Sequence, residues 1–539
     1  MNVAILGREG PLASQTRAEA VRQGHRVSQD VAEAIIYLPN TEAGAEAANQ
    51  AGSLAELEQR VTRGGFRKLV LRSHAIVYGA NPKNPGFMTE DRVSLLPERA
   101  PESRWLRAEQ IAARFGNATI VRLTNVLAPE EGDLIVKQLS SRAAMPLAGR
   151  DPQVQFISLK DAARALVCAA ESDAAGIFNA SGDGALPLKK AYRAAGTARL
   201  PVPKKIQKLF RHTHSPEPLE FNWTVSGERA AREWGFRPEQ STTKALAEFV
   251  KQKRGAHPEL LATSYDPWGL DEDYIRAWGA WFAFLRKVYW RIDFEGMEHI
   301  PAAGRAMFVS NHRGFMPLDA VMHLSLALTE RGRIIRFLII PCLLYFPFLS
   351  NFLTKLGGVI ASQENAARLF EGENLVGMFP EGIRGTFTPY KSTYQLRDFS
   401  KSSLAQLAIE HQTPIIPVAV IGHAEIFPII GRIDSTYLKL KTGWPYFPIA
   451  PPFPFLPFVP FPSKWHVRVL EPVAVAGLAP EDARNGKLVR DLSRHVQNLV
   501  QQNINHMLAR RKHVFWGKVL DGTAPAAPPF HPMRHALGV

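Results

Sequence analysis

The sequence predicts an α/β protein in which an N-terminal parallel sheet is followed by a second α/β domain. Three observations predict it. Short apolar runs alternate with helical-period runs through the first 250 residues, the same rhythm returns after residue 300, and polar clusters follow directly on strand-like runs in both halves. At 539 residues the chain is too long for one core, so two or three domains are expected. With 46% hydrophobic and 21% charged residues it is globular in composition, not disordered.

In chain order, Val3–Leu6, Ala34–Leu38, Arg67–Leu71 and Ala118–Leu123 read as strands, and Leu12–Arg22, Leu106–Phe115 and Leu159–Glu171 as helices. After the first strand comes Gly7-x-x-Gly10-x-x-Ala13, a partial dinucleotide fingerprint whose glycines permit a tight turn and whose helix N-terminus can receive a pyrophosphate. Further on stand Val70-Leu71-Arg72-Ser73-His74-Ala75-Ile76-Val77-Tyr78-Gly79, then Arg122-Leu123-Thr124-Asn125-Val126, then Trp234-Gly235-Phe236-Arg237-Pro238.

With these motifs, residues 1–252 resemble a Rossmann-like extended short-chain dehydrogenase/reductase of the sugar-nucleotide epimerase type. The resemblance implies NAD(P) contacts at Gly7, Gly10 and Ala13, and an active-site serine at Ser73. In that family a tyrosine and a lysine four residues apart form the proton relay, upstream of a helical glutamate matched here by Glu109. Counting back from Glu109 places Pro101 and Trp105 in the relay, and neither exchanges a proton. The expectation is a catalytically silent domain, with dinucleotide binding left open.

Residues 253–272 lose the periodic pattern and are the expected linker to a domain at 273–515. Tyr274–Trp290 carries Trp278, Trp281, Phe282, Leu285, Val288 and Tyr289 at helical spacing among Arg276, Arg286 and Lys287. Two readings stay open, a core-packing helix and a basic-aromatic helix at a membrane interface.

The chemistry is concentrated after two short buried runs. Arg305-Ala306-Met307-Phe308-Val309-Ser310 leads into Asn311-His312-Arg313-Gly314-Phe315-Met316-Pro317-Leu318-Asp319, and Asn374-Leu375-Val376-Gly377-Met378-Phe379 leads into Pro380-Glu381-Gly382-Ile383-Arg384. Open α/β sheets gather their chemistry outside the carboxyl ends of strands, so the two clusters are expected to share one crevice. A histidine is the usual base for a hydroxyl that loses its proton in attack, and Asp319 is the nearest acid to orient His312. Arg384 offers a planar fork suited to a phosphate, and Glu381 can hold that arginine or a second hydroxyl.

Asn311-His312 with Asp319, Phe379-Pro380-Glu381-Gly382 with Arg384, and Pro414-Ile415-Ile416-Pro417-Val418 together resemble the glycerophospholipid acyltransferase superfamily. Six residues separate His312 from Asp319 where the commonest form has four, which is similar to the monoacylglycerol-type branch. Phe399–Ala408 resembles the superfamily's Phe-x-Lys-Gly helix, with Ser402 in place of the glycine. The resemblance implies direct transfer from acyl-CoA or acyl-ACP to a lysophospholipid or monoacylglycerol-type acceptor, with no metal and no cofactor beyond the acyl donor. It further implies His312 and Asp319 as catalytic residues and Asn311, Arg313, Gly314, Glu381, Gly382, Arg384, Lys401 and Pro417 as substrate contacts.

Tyr446–Pro462 alternates Pro with Phe, which excludes helix interior and central sheet and leaves an extended greasy segment or a buried strap. A strand-like run, His466–Ala476, and a helix, Lys487–Arg511, precede residues 516–539, an Ala/Pro/Gly-rich tail expected to be disordered. Lys+Arg 65 against Asp+Glu 50 gives a net charge of +15, which favours an anionic partner. No nucleic-acid module is recognisable, so an anionic membrane surface and CoA phosphates rank above DNA or RNA.

Cys168 and Cys342 stand far apart in apolar contexts, as in a reducing cytosol. The N-terminus lacks the pattern of a signal peptide, and Phe337–Phe352 and Pro445–Pro462 are too interrupted to span a bilayer. The expected location is cytoplasmic and peripheral on the inner face of a membrane. Two other classes remain open at this point: a lipid or sugar-nucleotide oxidoreductase, and a non-catalytic lipid-binding protein.

Overall fold

The computed structural model describes residues 1–28, 32–40, 52–207, 216–262, 265–314, 316–453, 456 and 459–522. The chain divides into two compact units, Met1–Leu270 with Pro347–Asn351, and Asp271–Phe346 with Phe352–Val539.

The first unit is built on strands β1 (Asn2–Gly7), β2 (Arg26–Val27), β3 (Ala34–Leu38), β4 (Lys68–His74), β5 (Ala118–Leu123) and β6 (Gly176–Ala180), ordered β6-β5-β4-β3-β1-β2 with every pairing parallel. It is a Rossmann-like sheet. β3, β4 and β5 are buried along their whole length, which is why they read as continuous apolar runs rather than alternating ones. The strand order reverses between β1 and β3, which sets the crevice beside Gly7.

The helix Pro11–Arg22 starts with a proline, whose missing N–H is harmless in a first turn. The helix Leu159–Glu171 is capped by Ser158, which accepts from Asp161 N, and it buries an alanine-rich face that lets it lie close on the sheet. The predicted helix Leu106–Phe115 is observed at Ser103–Ala112. Residues 253–262 do not behave as a free linker. Lys253 Nζ donates to Ser141 O and Thr197 Oγ1, both at 2.7 Å, His257 N donates to Ala194 O, and Leu261 is buried in the core of this unit.

The second unit holds β7 (Asp293–Glu295), β8 (Ala306–Ser310), β9 (Ile335–Ile339), β10 (Val359–Ile360), β11 (Leu375–Met378), β12 (Ile415–Ile421), a hairpin of β13 (Gly431–Ile433) and β14 (Phe447–Ile449), and β15 (His466–Val469). Its main sheet runs β7-β15-β12-β8-β11-β9-β10, parallel except where β12 meets β15. β8 is central, with β11 on one side and β12 on the other.

Pro417 lies inside β12, a place that ordinarily rejects proline. Ile415 pairs with Val473 and Val418 with Val469, so residues 416–417 face residues 470–472 across a bulge. The proline nitrogen falls where the ladder is interrupted, and its carbonyl still accepts from Leu470 N at 2.9 Å.

The helix Glu272–Phe284 runs into a π turn, Leu285–Tyr289. It has two faces: Ile275, Phe282 and Leu285 are buried, whereas Trp281, Phe284 and Val288 are exposed. Of the Pro/Phe run, residues 454–455 and 457–458 lie outside the described residues. Leu456, Val459 and Phe461 are exposed, and the carbonyls of Pro460, Phe461 and Pro462 accept from Tyr289, Trp290 and Arg291.

The helix Gly486–Arg510 packs Val500, Ile504 and Met507 against Ala419 and Ile421 of β12. Val519 joins that cluster and Gly522 N donates to Glu295 Oε2 at 3.1 Å, so residues 516–522 are docked rather than part of a free tail. The rest of the expected tail, 523–539, lies outside the described residues.

Candidate active site

Strand register explains why two motifs far apart in sequence meet. Val309 of β8 pairs with Met378 of β11, so His312 and Glu381 each lie three residues beyond a paired position and leave the sheet side by side. Asn311 continues the sheet with its side chain: Oδ1 accepts from Val420 N at 2.9 Å and Nδ2 donates to Val420 O at 3.0 Å, as a strand residue's backbone would. That pins the chain immediately before His312.

His312 Nδ1 and Asp319 Oδ2 are 2.5 Å apart. Asp319 is fully buried in the first turn of the helix Leu318–Arg331, where it also accepts from Ala320 N at 2.8 Å and Arg313 N at 3.4 Å. Burial alone would raise its carboxyl, but the His312 imidazole against it outweighs burial and holds it below its ordinary value. An ionised Asp319 accepts from Nδ1–H, so in the neutral imidazole it is Nε2 that carries the lone pair. The six-residue interval is accommodated by Gly314, whose φ of +73° lies in the left-handed region, and by Pro317 at the helix cap.

His312 lines an apolar pocket together with Val321, Leu324, Phe337, Leu343 and Phe379, and its ring stacks on Phe379 at 4.2 Å. Behind the Asn311-His312 segment are two buried histidines that the sequence does not flag. His323 faces Ser310 Oγ at 3.3 Å and His423 faces Asn311 Nδ2 at 3.3 Å. Burial pushes them down to about 4 and about 3, so both are neutral at pH 7. His323 stands one helix turn after Asp319 among apolar residues, a position that carries no distinguishing sequence signal.

Several expected substrate contacts turn inward instead. Arg313 is fully buried and pairs with Glu381 at 2.5 Å, while its remaining donors go to the carbonyls of His312, Thr393 and Gln395. Glu381 also accepts from Arg397 N at 2.9 Å and His312 N at 3.4 Å. Its ion-pair partner is therefore Arg313, not Arg384. Asn311, Arg313 and Glu381 are committed to the protein and position the loop that carries His312. Gly385, absent from the expected set, is needed here, because a Cβ on it would fall 2.4 Å from Glu381 Cβ.

Gly382 lines the pocket, and Gly314 packs beside His423 and Ile426. Arg384 is exposed one helical turn beyond Glu381 and has no ion-pair partner among the described residues. Lys401 is exposed in a short turn whose Phe399 N donates to Gln497, and it does not line the pocket. Pro417 lies within β12 and is buried, outside the pocket lining.

The dinucleotide reading of the first unit can be tested on its own side chains. Gly7 has φ +99°, and a Cβ there would fall 2.3 Å from Leu38 O, so the tight turn is real. The helix N-terminus beyond it is already taken: Glu131 Oε1 accepts from Leu12 N at 3.1 Å and would lie 3.3 Å from a Cβ on Gly10. A carboxylate there displaces and repels a pyrophosphate. Ala13 is buried in the core. Ser73 is a buried strand residue, not a reactive group, and donates to Glu109 at 2.6 Å, with Glu109 in turn gripped by Arg122. Trp105 lies under the Arg72 guanidinium at 4.1 Å. These residues do not fit NAD(P). Titration of the purified protein with NADH or NADPH, followed by nucleotide fluorescence, is expected to show no saturable binding; micromolar affinity would overturn this.

The profile of the family described as Acyltransferase matches residues 291–421, the span from just before β7 to the end of β12. The chain is 31% identical over 287 residues to the uncharacterized protein Rv0502 of Mycobacterium tuberculosis, covering 52% of this chain and 79% of that protein. It is 25% identical over 168 residues to a Bos taurus protein named DGAT1/2-independent enzyme synthesizing storage lipids, covering 31% of this chain and 50% of that one. Among solved structures, UDP-glucose 4-epimerase of Thermotoga maritima matches with a TM-score of 0.36 at 14% identity, covering 47% of this chain and 98% of that one.

Proposed function

Since the chain belongs to the same family as Rv0502 of Mycobacterium tuberculosis and carries an acyltransferase domain over residues 291–421, we propose that it moves a fatty acyl group from acyl-CoA or acyl-ACP to a hydroxyl of a lysophospholipid or monoacylglycerol-type acceptor. The observation that carries the reading is His312, tied to buried Asp319 through Nδ1 and lining an apolar pocket, with Nε2 unengaged among the described residues. In the reaction, Nε2 takes the acceptor's hydroxyl proton as the oxygen attacks the thioester carbonyl. The tetrahedral adduct collapses with cleavage of the C–S bond, and the imidazolium returns its proton to the departing thiolate. Asp319 stabilises the imidazolium and holds the tautomer. No side chain is acylated.

The apolar walls supplied by Val321, Leu324, Phe337 and Leu343 suit an acyl chain. Among the described residues no helix is long and apolar enough to cross a membrane, and the charge of +15 favours peripheral attachment to an anionic, cytoplasmic-facing surface. The first unit contributes no redox chemistry in this reading.

Lipid mass spectrometry after incubation with acyl-CoA and a panel of lyso-acceptors tests the assignment, and the absence of any acylated product would remove it. The acceptor is tested at Arg384, an exposed cation with no ion-pair partner among the described residues. If it holds a phosphate, Arg384→Ala raises KM for a lysophospholipid by about tenfold or more and leaves KM for a monoacylglycerol unchanged. Equal effects on both favour the neutral acceptor, the alternative supported by the long histidine-to-aspartate interval and by the name of the bovine relative.

A further inference from the structure

We propose that the β13–β14 hairpin with its intervening helix, residues 430–449, is the platform by which the second unit rests on an anionic phospholipid bilayer, so that lipid reaches the pocket along its rim. The inference rests on the acyl-transfer reading above. β13 and β14 pair antiparallel from Gly431↔Ile449 to Ile433↔Phe447, and the helix Thr436–Thr442 fills the connection.

The inner side of this excursion belongs to the pocket. Trp444 lines it, with its ring 5.7 Å from Phe346 and 5.6 Å from Phe387. The Tyr446 hydroxyl donates to Phe387 O. Gly443 passes so close to the pocket residue Cys342 that a Cβ would fall 2.8 Å from Cys342 Cβ. The platform is therefore anchored to the pocket wall at three successive places.

The exposed side chains of the excursion have the opposite character. Ile430, Ile433, Tyr437, Leu440 and Ile449 are exposed, Leu440 at 83% and Tyr437 at 66%. Tyr437 and Leu440 are three residues apart on the helix and share a face. Five large apolar side chains within twenty residues exceed the scattered exposure normal for a soluble surface and mark a binding site.

Two observations select a bilayer as the occupant. Arg432 and Lys439 flank the apolar residues and share a single carboxylate, Asp434, at 3.2 and 3.1 Å, so the rim keeps an excess of positive charge on a chain of net +15. The patch also adjoins the pocket along the chain, since Trp444, which lines the pocket, follows Leu440 by four residues, and this suits an occupant that delivers an acyl chain. Shallow insertion of apolar side chains beneath a cationic rim is the arrangement by which peripheral proteins hold anionic membranes.

The test uses the full chain and the double variant Tyr437→Ser, Leu440→Ser, whose side chains contribute little to the core. Co-sedimentation is measured with vesicles of phosphatidylcholine and with vesicles of phosphatidylcholine plus phosphatidylglycerol, and transfer to a detergent-dispersed acceptor is measured in parallel. The expected result is binding of the unaltered protein to the mixed vesicles, a loss of about tenfold or more in the variant, and equal transfer in detergent. Equal vesicle binding by both proteins, or no binding by either, overturns the platform. A change from dimer to monomer in the variant without a change in vesicle binding overturns it in favour of a second copy of the chain. Absence of transfer in detergent by the unaltered protein tells against the acyl-transfer reading instead, whichever way the vesicle arm falls.

Discussion

Replacing His312 by alanine is expected to lower the rate of acyl transfer at saturating donor by about 10²–10⁴-fold, the usual cost of removing a general base. The fold should survive. The ring is 13% exposed at the pocket wall, and Asp319, left without it, still accepts from Arg313 N and Ala320 N. Asp319→Asn should be comparably severe for a different reason: a neutral amide neither stabilises the imidazolium nor requires the proton to sit on Nδ1. Single-turnover rates alongside melting curves check both. Normal turnover in His312→Ala would remove the mechanism, whereas normal turnover in Asp319→Asn would remove only the pairing.

The second large effect is on stability. Glu381→Gln should destabilise the second unit by about 3–5 kcal/mol, because it leaves the Arg313 guanidinium buried with no counter-charge. Arg313 cannot turn to water: it is fully buried, and its other donors are held by the carbonyls of His312, Thr393 and Gln395. Urea unfolding measures this directly. A variant with unchanged stability but altered KM would return Glu381 to the substrate, the role its sequence position suggests.

Glu381 shows where reading the sequence stops. The two motifs were legible because each is local: an apolar strand delivers Asn311-His312 and another delivers Pro380-Glu381-Gly382, and hydrophobic pattern alone places strand ends. Which acid meets which base was not legible. Arg384 is the nearest arginine in sequence to Glu381, yet the helix that begins at Gly382 carries it outward. The Val309↔Met378 register brings Arg313 across instead. The motif around Pro417 is local and suggests a substrate contact, whereas its place within buried β12, opposite a bulge at residues 470–472, puts it in the sheet.

The first unit teaches the same lesson in another form. Its parallel sheet and its glycine turn follow from residues read in place. The blocked helix N-terminus does not, because Glu131 reaches Leu12 from 119 positions away. Nor does the docking of residues 516–522, which depends on an apolar cluster built from β12 and the helix Gly486–Arg510. A composition rich in small residues describes what a segment can do alone, not what surface lies within its reach.

By itself the sequence determined the two α/β units, the strand ends that carry chemistry and the identity of His312 and Asp319 as a pair, since periodicity and short-range spacing are properties of the chain before it folds. Only the tertiary structure decided that Asn311, Arg313 and Glu381 engage the protein itself, that Arg384 is exposed, and that His323 and His423 are buried and neutral. Those outcomes depend on strand register and burial, and a buried charge takes the partner that register places beside it rather than the one nearest in sequence.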